Sequence, residues 1–565
     1  MPPARPAGGR TAWLRSALAP VLVVLALGVL AGCSGGGPEG TAVCDIAAGA
    51  LPVADGDALL EGSIGDASNL IRMMAGDGAS AQVSGLVFDG MLSYDKTLSE
   101  LEPRLAESWT VSDDGLQITF HLRDDVTWHD GTPFTARDVE FGFNTITDPD
   151  TLTAYAEDYN QVTRFEVLDD FTFRVSYDKP YAPALATWGL MVVLPRHLLE
   201  GQDINEASEF ARNPVGNGRF KFESWETKRQ ITVRANPDYY RGRPHIERLV
   251  IRIIPDLQTQ FLELKSGGLD QMGLTPLQFS RQTSTPEFED SFRKYSYLTN
   301  SYAYLGYNLK NELFSDVRVR RALTHAIDKD EIIEGVLFGL GQPAKGPYKP
   351  GTKWVNENVD DLAYDPDRAR KLLAEVGWRD SDGDGVLDKD GKPFEFELIT
   401  NNGNESRAKT ATIIQRRFKE IGVKAEVRTI EWAAFINDFI DKRKFDAVIL
   451  GWSLDPDPDQ YIIWHSSKTE PKQFNFVSFD SAEVDELLEK GRRTFDQAER
   501  KKYYDRLQEI LVEEQPYTFL YYGKALPAVH CRFQGIEPAP AGIGHNFKDW
   551  FVPSSLQKHT IAANP

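Results

Sequence analysis

Leu116, Ile118, Phe120 and Leu122 alternate with Gln117, Thr119 and His121, which predicts a strand with one buried face. Asp130-Gly131 marks a turn beyond it, and Thr135 with Asp138 three residues on predicts an acidic capping box that opens a helix through Phe143. Gly- and Pro-punctuated strands then continue to about Asp178. The most regular pattern lies at 394–451. Residues 394–400 read as a strand, 406–421 as a helix closed by Gly422, and 423–430 as a second strand with Val423, Ala425 and Val427 on one face. Trp432, Phe435, Ile436, Phe439 and Ile440 then form one helical stripe, and 445–451 read as a third strand. This βαβαβ order predicts parallel pairing with right-handed crossovers. Asp365-Pro366 predicts a capped helix start that Gly377 ends; Val319, Leu323, Ala326 and Ile327 form another stripe; 480–492 and 496–514 predict charged surface helices. The fold class is α/β.

At 565 residues the chain predicts about two to four domains. Its 41% hydrophobic content is enough for a large core and excludes wholesale disorder. The net charge of −21 repels phosphate backbones and argues against nucleic acid as a partner. At the N-terminus Arg5, Arg10 and Arg15 precede an apolar stretch, 17–31, too short for a membrane span and suited to an export signal. The stretch ends in Leu30-Ala31-Gly32-Cys33, which resembles the lipobox of bacterial lipoproteins, where the thiol receives a diacylglyceryl group. Cleavage after residue 32 would leave 565 − 32 = 533 residues and a charge of 60 − 84 = −24. Residues 34–40 read as a flexible tether. The expected location is outside the cytoplasmic membrane, on the periplasmic or outer face, with lipid as the sole anchor. Cys44 and Cys531 are too far apart for a metal or redox motif; an oxidising compartment permits a disulfide between them, and two free thiols are the alternative.

The chain carries no nucleophile elbow, zinc-helix or phosphate-loop motif, and its nine histidines are scattered singly. It is therefore expected not to be an enzyme, a secreted hydrolase built from distant residues being a remote alternative. The third strand of the βαβαβ unit runs into Gly451-Trp452-Ser453-Leu454-Asp455-Pro456-Asp457-Pro458-Asp459. Ligands of open α/β sheets sit beyond the carboxyl ends of strands. Trp452 would form an aromatic wall and Asp455 a carboxylate for a cationic group, whereas Asp457 and Asp459 read as solvated acids of a surface turn. Trp432 reads equally as core or as pocket. Asp380, Asp382, Asp384 and Asp388 occupy positions 1, 3, 5 and 9 of a calcium-loop frame with Gly385 at the sharp turn, but position 12 is Gly391 instead of Glu. No cofactor is required by this reading, and the loop is a candidate for structural calcium.

Longer motifs carry a resemblance. Leu105-Ala106-Glu107-Ser108-Trp109, Trp128-His129-Asp130-Gly131-Thr132-Pro133-Phe134, Asn213-Pro214-Val215-Gly216-Asn217-Gly218, Asn236-Pro237-Asp238-Tyr239-Tyr240 and Val317-Arg318-Val319-Arg320-Arg321-Ala322 together resemble the extracellular solute-binding proteins of family 5. These include the dipeptide- and oligopeptide-binding lipoproteins of ABC importers. The resemblance implies two lobes joined by a hinge, with a subdomain inserted in the first. On that scheme residues 1–32 are the signal, 33–55 the tether, 56–90 and 206–297 lobe I, 91–205 its insert, 298–508 lobe II, and 509–565 a returning lobe I segment. It further implies an extended peptide ligand, Asp455 as the ammonium anchor within Gly451-Trp452-x-x-Asp455, and Ser80 and Ala81 on the opposing lobe. By its topology the first strand and the C-terminal segment share a lobe, which favours the Cys44–Cys531 disulfide. The implied partners are a membrane permease and its ATPase, the chain itself being a monomer. Family members that bind oligosaccharides or nickel chelates are the alternative.

Overall fold

The computed structural model describes residue 44 and residues 51–559, except 75–76, 154, 192 and 471–472. The export signal, Cys33 and the Gly-rich part of the tether lie outside the described residues. Among the described residues no helix is long and apolar enough to cross a membrane.

The first lobe is a seven-stranded mixed sheet. Its spatial order is Phe292–Lys294, Pro527–His530, Gln271–Gly273, Gly56–Ser63, Ile246–Ile253, Gln230–Ala235 and Phe220–Glu226. The central strand Gly56–Ser63 runs parallel to both neighbours. A four-stranded antiparallel sheet forms the insert, with Ile118, Phe120 and Leu122 at 0, 0 and 3% exposure as the alternation predicts. Phe120 stacks on Phe173 at 4.9 Å, and the helix Ala136–Thr147 opens with the expected Thr135/Asp138 capping box.

The second lobe is a six-stranded sheet ordered Gly341–Pro343, Tyr517–Ala525, Tyr297–Tyr307, Ala447–Ser453, Glu395–Asn401 and Lys424–Ile430. Glu395–Asn401 pairs parallel with Lys424–Ile430 and with Ala447–Ser453, as the βαβαβ pattern requires. The stripe after Ile430 is not one α-helix. A single turn, Trp432–Ala434, passes into the π-helix Phe435–Ile440. Widening the turn brings residues five apart onto one face, so Phe435 and Ile440 are buried together while Trp432 is rotated out to 51% exposure.

The chain crosses between the lobes twice by very short segments. Phe292–Lys294 belongs to the first sheet and Tyr297–Tyr307 to the second; Tyr517–Ala525 belongs to the second and Pro527–His530 to the first. The second crossing is therefore at Leu526, not at 509. The helix Gln497–Glu514 and the strand Tyr517–Ala525 stay in lobe II, because Tyr517 stacks on Tyr304 at 3.9 Å and packs on Trp464 at 4.5 Å.

Lobe I is closed by a buried ion triad. Arg532, Asp57 and Asp270 are 1, 1 and 3% exposed. The Arg532 guanidinium donates through Nε and Nη2 to Asp270 at 3.2 and 2.7 Å, through Nη2 to the Ala58 carbonyl at 2.9 Å, and through Nη1 to Asp57. Beside it Cys531 is joined to Cys44 as a disulfide with Cα atoms 5.0 Å apart. Removing one member of a buried ionic group leaves an uncompensated charge. Arg532→Ala is expected to lower stability in urea denaturation by about 3–5 kcal/mol. A loss below about 1 kcal/mol, the scale of surface pairs, would show that the triad contributes little.

Candidate functional site

The strand Ala447–Ser453 is buried at its start and emerges at its carboxyl end toward the cleft between the lobes. The loop beyond it, 454–459, is not a solvated turn. Asp457 takes a bidentate pair from Arg500 at 2.7 and 2.8 Å, and Asp459 accepts from Arg492 Nε and Nη2 at 2.8 and 2.7 Å. The Tyr348 hydroxyl donates to the Pro458 carbonyl at 2.8 Å, and Leu454 N donates to the Asn300 carbonyl at 2.8 Å. The surface-turn expectation for Asp457 and Asp459 is thus overturned: the helices 482–493 and 497–514 supply arginines that sequence distance concealed.

Asp455 is the acid of this loop left without a hydrogen bond or ion pair among the described residues. It lines a cavity of about 220 Å³ with Arg72, Tyr155, Tyr159, Tyr181 and Arg492. The residue is exposed, but the protein around it desolvates the carboxyl in part; that desolvation, and then Asp457, push its pKa up, while Arg72 opposes the rise.

Trp452 lies elsewhere. It stands three positions before Asp455, an odd offset that turns extended side chains to opposite faces. It packs against Phe474 and Phe476 at 5.4 and 5.8 Å and donates from Nε1 to the Tyr517 hydroxyl at 3.3 Å. With Gly451, Ser453 and Tyr302 it lines a second cavity, about 430 Å³, at the hinge. The single pocket expected for Trp452 and Asp455 is therefore two.

The second cavity also holds Arg407, which the sequence pattern did not single out. Arg407 sits in the first turn of the helix Glu405–Glu420, capped by Asn404, and donates from Nη1 to Asn401 Oδ1 at 2.8 Å. Burial pushes its pKa down. Gly451 makes room for it: a Cβ there would lie 2.8 Å from the Tyr302 carbonyl oxygen and 3.0 Å from Arg407 Nη2. The available signal was a cation in a helix's first turn, where the macrodipole disfavours it.

A third cavity, about 570 Å³, shares Leu274, Lys524 and Leu526 with the second and extends over lobe I. Its wall carries Glu61, which accepts from Gln82 Nε2 at 2.9 Å and Gln271 Nε2 at 3.1 Å. Burial nevertheless holds the Glu61 carboxyl up at about 7.

Three expected groups are placed differently. Ser80 is buried in the first turn of the helix Gly78–Val87, its hydroxyl donating to Asp77 at 2.6 Å and accepting from Ser68 N at 2.9 Å. Neither it nor Ala81 lines these cavities; Arg72, Met73 and the insert's tyrosines form the wall facing Asp455. Trp432 lines none of the three either. In the acidic loop, exposed Asp380, Asp382 and Asp384 bring ligand oxygens within 4.8 Å of one another. Asp388 is not part of that group. It accepts from Ser381 N and Oγ at 2.8 and 2.6 Å.

Comparison with known proteins agrees with this architecture. Residues 100–473 match the family profile described as bacterial extracellular solute-binding proteins, family 5 Middle. The chain is 33% identical to the oligopeptide-binding protein AppA of Bacillus subtilis over 542 residues, covering 94% of this chain and 97% of that one. The AppA structure in complex with a nonapeptide superposes with a TM-score of 0.79 at 31% identity, covering 89% of this chain and all of AppA. NikZ from Campylobacter jejuni in complex with Ni(L-His) gives 0.79 at 29% identity, covering 88 and 99%. DppA from Helicobacter pylori in complex with the peptide STSA gives 0.77 at 27%, covering 89 and 99%. A two-lobed α/β binding protein is what the fold and cleft define, and the chain belongs to the extracellular solute-binding proteins of family 5. Members of this family bind solutes and are not enzymes.

Glu61 makes the ligand-free protein pH-sensitive in a stated direction. Between its ordinary value of 4.5 and about 7 the unfolded chain ionises while the folded chain holds the proton, so stability falls as pH rises through that window. Glu61→Gln cannot titrate. Its melting temperature relative to wild type is expected to rise from pH 4.5 to pH 7 and then level off; a difference constant across that range would refute the shift.

Proposed function

We propose that this chain captures extended peptides between its lobes and delivers them to the permease of an ABC importer. The observation that carries the reading is Asp455. In a loop whose other acids are neutralised by arginines, it alone presents an exposed, unpartnered carboxylate to an interlobe cavity walled by Tyr155, Tyr159 and Tyr181, and such a carboxylate suits an α-ammonium group. Arg407 lies along the same strand end and offers a cation to a carboxylate or carbonyl. Gly451 and Asp455 are at most about 14 Å apart, the reach of about four extended residues. The peptide complexes of AppA and DppA support this reading. Trp452, the wall residue that sugar stacking would use at the hinge cavity, is already engaged by Tyr304, Phe474 and Phe476.

Loss of one partner from a desolvated charge pair weakens binding by roughly 30-fold or more. Asp455→Asn with free peptide, and wild type with N-acetylated peptide, should lose affinity equally in calorimetry, and the variant should lose nothing further on acetylation. Full affinity of wild type for acetylated peptide would reject the ammonium assignment.

Two finer features complete the reading. Cys33 becomes the lipidated N-terminus that tethers the body to the membrane, since a diacylglyceryl group supplies the two chains stable attachment requires. Intact-mass analysis after bacterial expression should find the lipid, absent from Cys33→Ala. Asp380, Asp382 and Asp384 bind calcium weakly, lacking the position-12 Glu. Calcium should raise the melting temperature slightly over chelator, and identical curves would dismiss the site.

A further inference from the structure

The lobe I cavity contains a charge that the peptide reading leaves unused. Arg219 follows Gly218 and leads into the strand Phe220–Glu226, its side chain in the cavity wall. The turn before it is pressed onto the helix Gly78–Val87. A Cβ at Gly216 would lie 2.0 Å, and one at Gly218 2.8 Å, from the Val87 carbonyl oxygen, so the glycines fix where Arg219 emerges. Its Nε is buried without a partner, and among the described residues the side chain makes no hydrogen bond or ion pair. The surrounding protein pushes its pKa down. Asp89, whose charge it feels, is committed elsewhere: its Oδ2 accepts from the Tyr239 and Tyr240 hydroxyls at 2.7 and 2.9 Å, and its Oδ1 lies 3.4 Å from Arg104 Nη1. A desolvated guanidinium left unpaired is costly, and a folded protein retains one where an anion compensates it.

The rest of the cavity fits a carboxylate on an otherwise apolar ligand. Leu59, Leu249, Phe547 and Trp550 line it, and Lys524 adds a second cation where it opens into the hinge cavity beside Arg407. Glu61 is the acid in that wall. It accepts from Gln82 and Gln271 and shares that wall with Tyr297, Lys524 and Arg219. Because it holds its proton up to about pH 7, it opposes an incoming anion only above that pH.

We propose that Arg219 anchors a carboxylate of the bound peptide in a lobe I subsite beyond the hinge, giving this receptor a preference for ligands that carry an acid there. Resting on the peptide reading, the inference concerns which peptides are held. The carboxylate is either an acidic side chain or the C-terminus of a longer peptide. Both present the same group to the same guanidinium.

The test is competitive binding from a mixed library of peptides up to nonapeptides, quantified by mass spectrometry. Each sequence is present with Glu or Gln at each position and with a free or amidated C-terminus. In wild type, at pH 6, one class of carboxylate should be enriched roughly 30-fold over its neutral partner. Glu/Gln pairs report a side chain and acid/amide pairs the C-terminus. Arg219→Gln should abolish that enrichment while still binding the neutral peptides, which shows that it is folded, and Arg219→Lys should restore part of it. Above pH 7 the enrichment should shrink in wild type and persist in Glu61→Gln. Peptides retained without carboxylate preference, or with a preference that survives Arg219→Gln, would overturn the inference and leave the peptide reading intact. No peptide retained by wild type would overturn both.

Discussion

Lobe I is assembled from stretches of chain hundreds of residues apart, and the buried Arg532 guanidinium is where they meet. Asp57 lies at the start of the central strand, Asp270 directly precedes Gln271–Gly273, and Arg532 follows Pro527–His530. Asp57 also accepts the backbone N–H groups of Lys558 and His559 at 3.1 and 3.0 Å, so the C-terminal segment is tied to the same point. Charges this deep must have their hydrogen-bonding capacity used, which leaves the group one arrangement. Burial first, and then the neighbouring Lys558 and Arg532, drive the His530 pKa down to about 3. Fixing Asp57 and Asp270 against the same guanidinium also sets the register that brings Glu61, near the carboxyl end of the central strand, against Gln271, the first residue of its neighbour, in the cavity wall.

The same matching of buried charge organises lobe II. Arg500 and Arg492 neutralise Asp457 and Asp459 and make the loop rigid, which leaves Asp455 as the uncompensated acid. Arg492 has a second duty. Its carbonyl accepts from Ala182 N at 2.6 Å, its guanidinium lies 5.6 Å from the Tyr181 ring centre, and its Nη2 is 3.8 Å from Asp158, all in the insert. One residue therefore connects the approach of the insert to the orientation of the loop that carries Asp455.

Periodicity revealed what is local. The insert strand, the parallel unit at 394–451 and the capped helix starts were legible because their hydrophobic patterns face a neighbouring layer. The site loop was legible by position, at the carboxyl end of a strand. What the sequence withheld depends on contacts across long separations. Nothing near Asp457 announces Arg500, and nothing near 509 announces that Tyr517 stacks on Tyr304 and keeps its strand in lobe II. The stripe from Trp432 misled for a different reason: α and π turns share their residues, and the choice between them is made by packing.

The hinge and the site are mechanically one region. Where Tyr297–Tyr307 pairs with Tyr517–Ala525, Leu298 faces Lys524 but the next pair is Tyr302 with Tyr522. Three residues, 299–301, thus oppose the single Gly523. Such a bulge bends a strand and re-aims its side chains. Thr299 Oγ1 donates back to the Gly523 carbonyl at 3.0 Å, and the freed Asn300 carbonyl accepts Leu454 N at 2.8 Å, one residue before Asp455. The irregularity beside the Leu526 crossing is therefore also the support of the loop that presents Asp455. A ligand held by Asp455 on one side and by lobe I on the other would pull directly on the segment about which the lobes turn. Because it gains both contacts only when the lobes approach, it would favour the closed population by the difference.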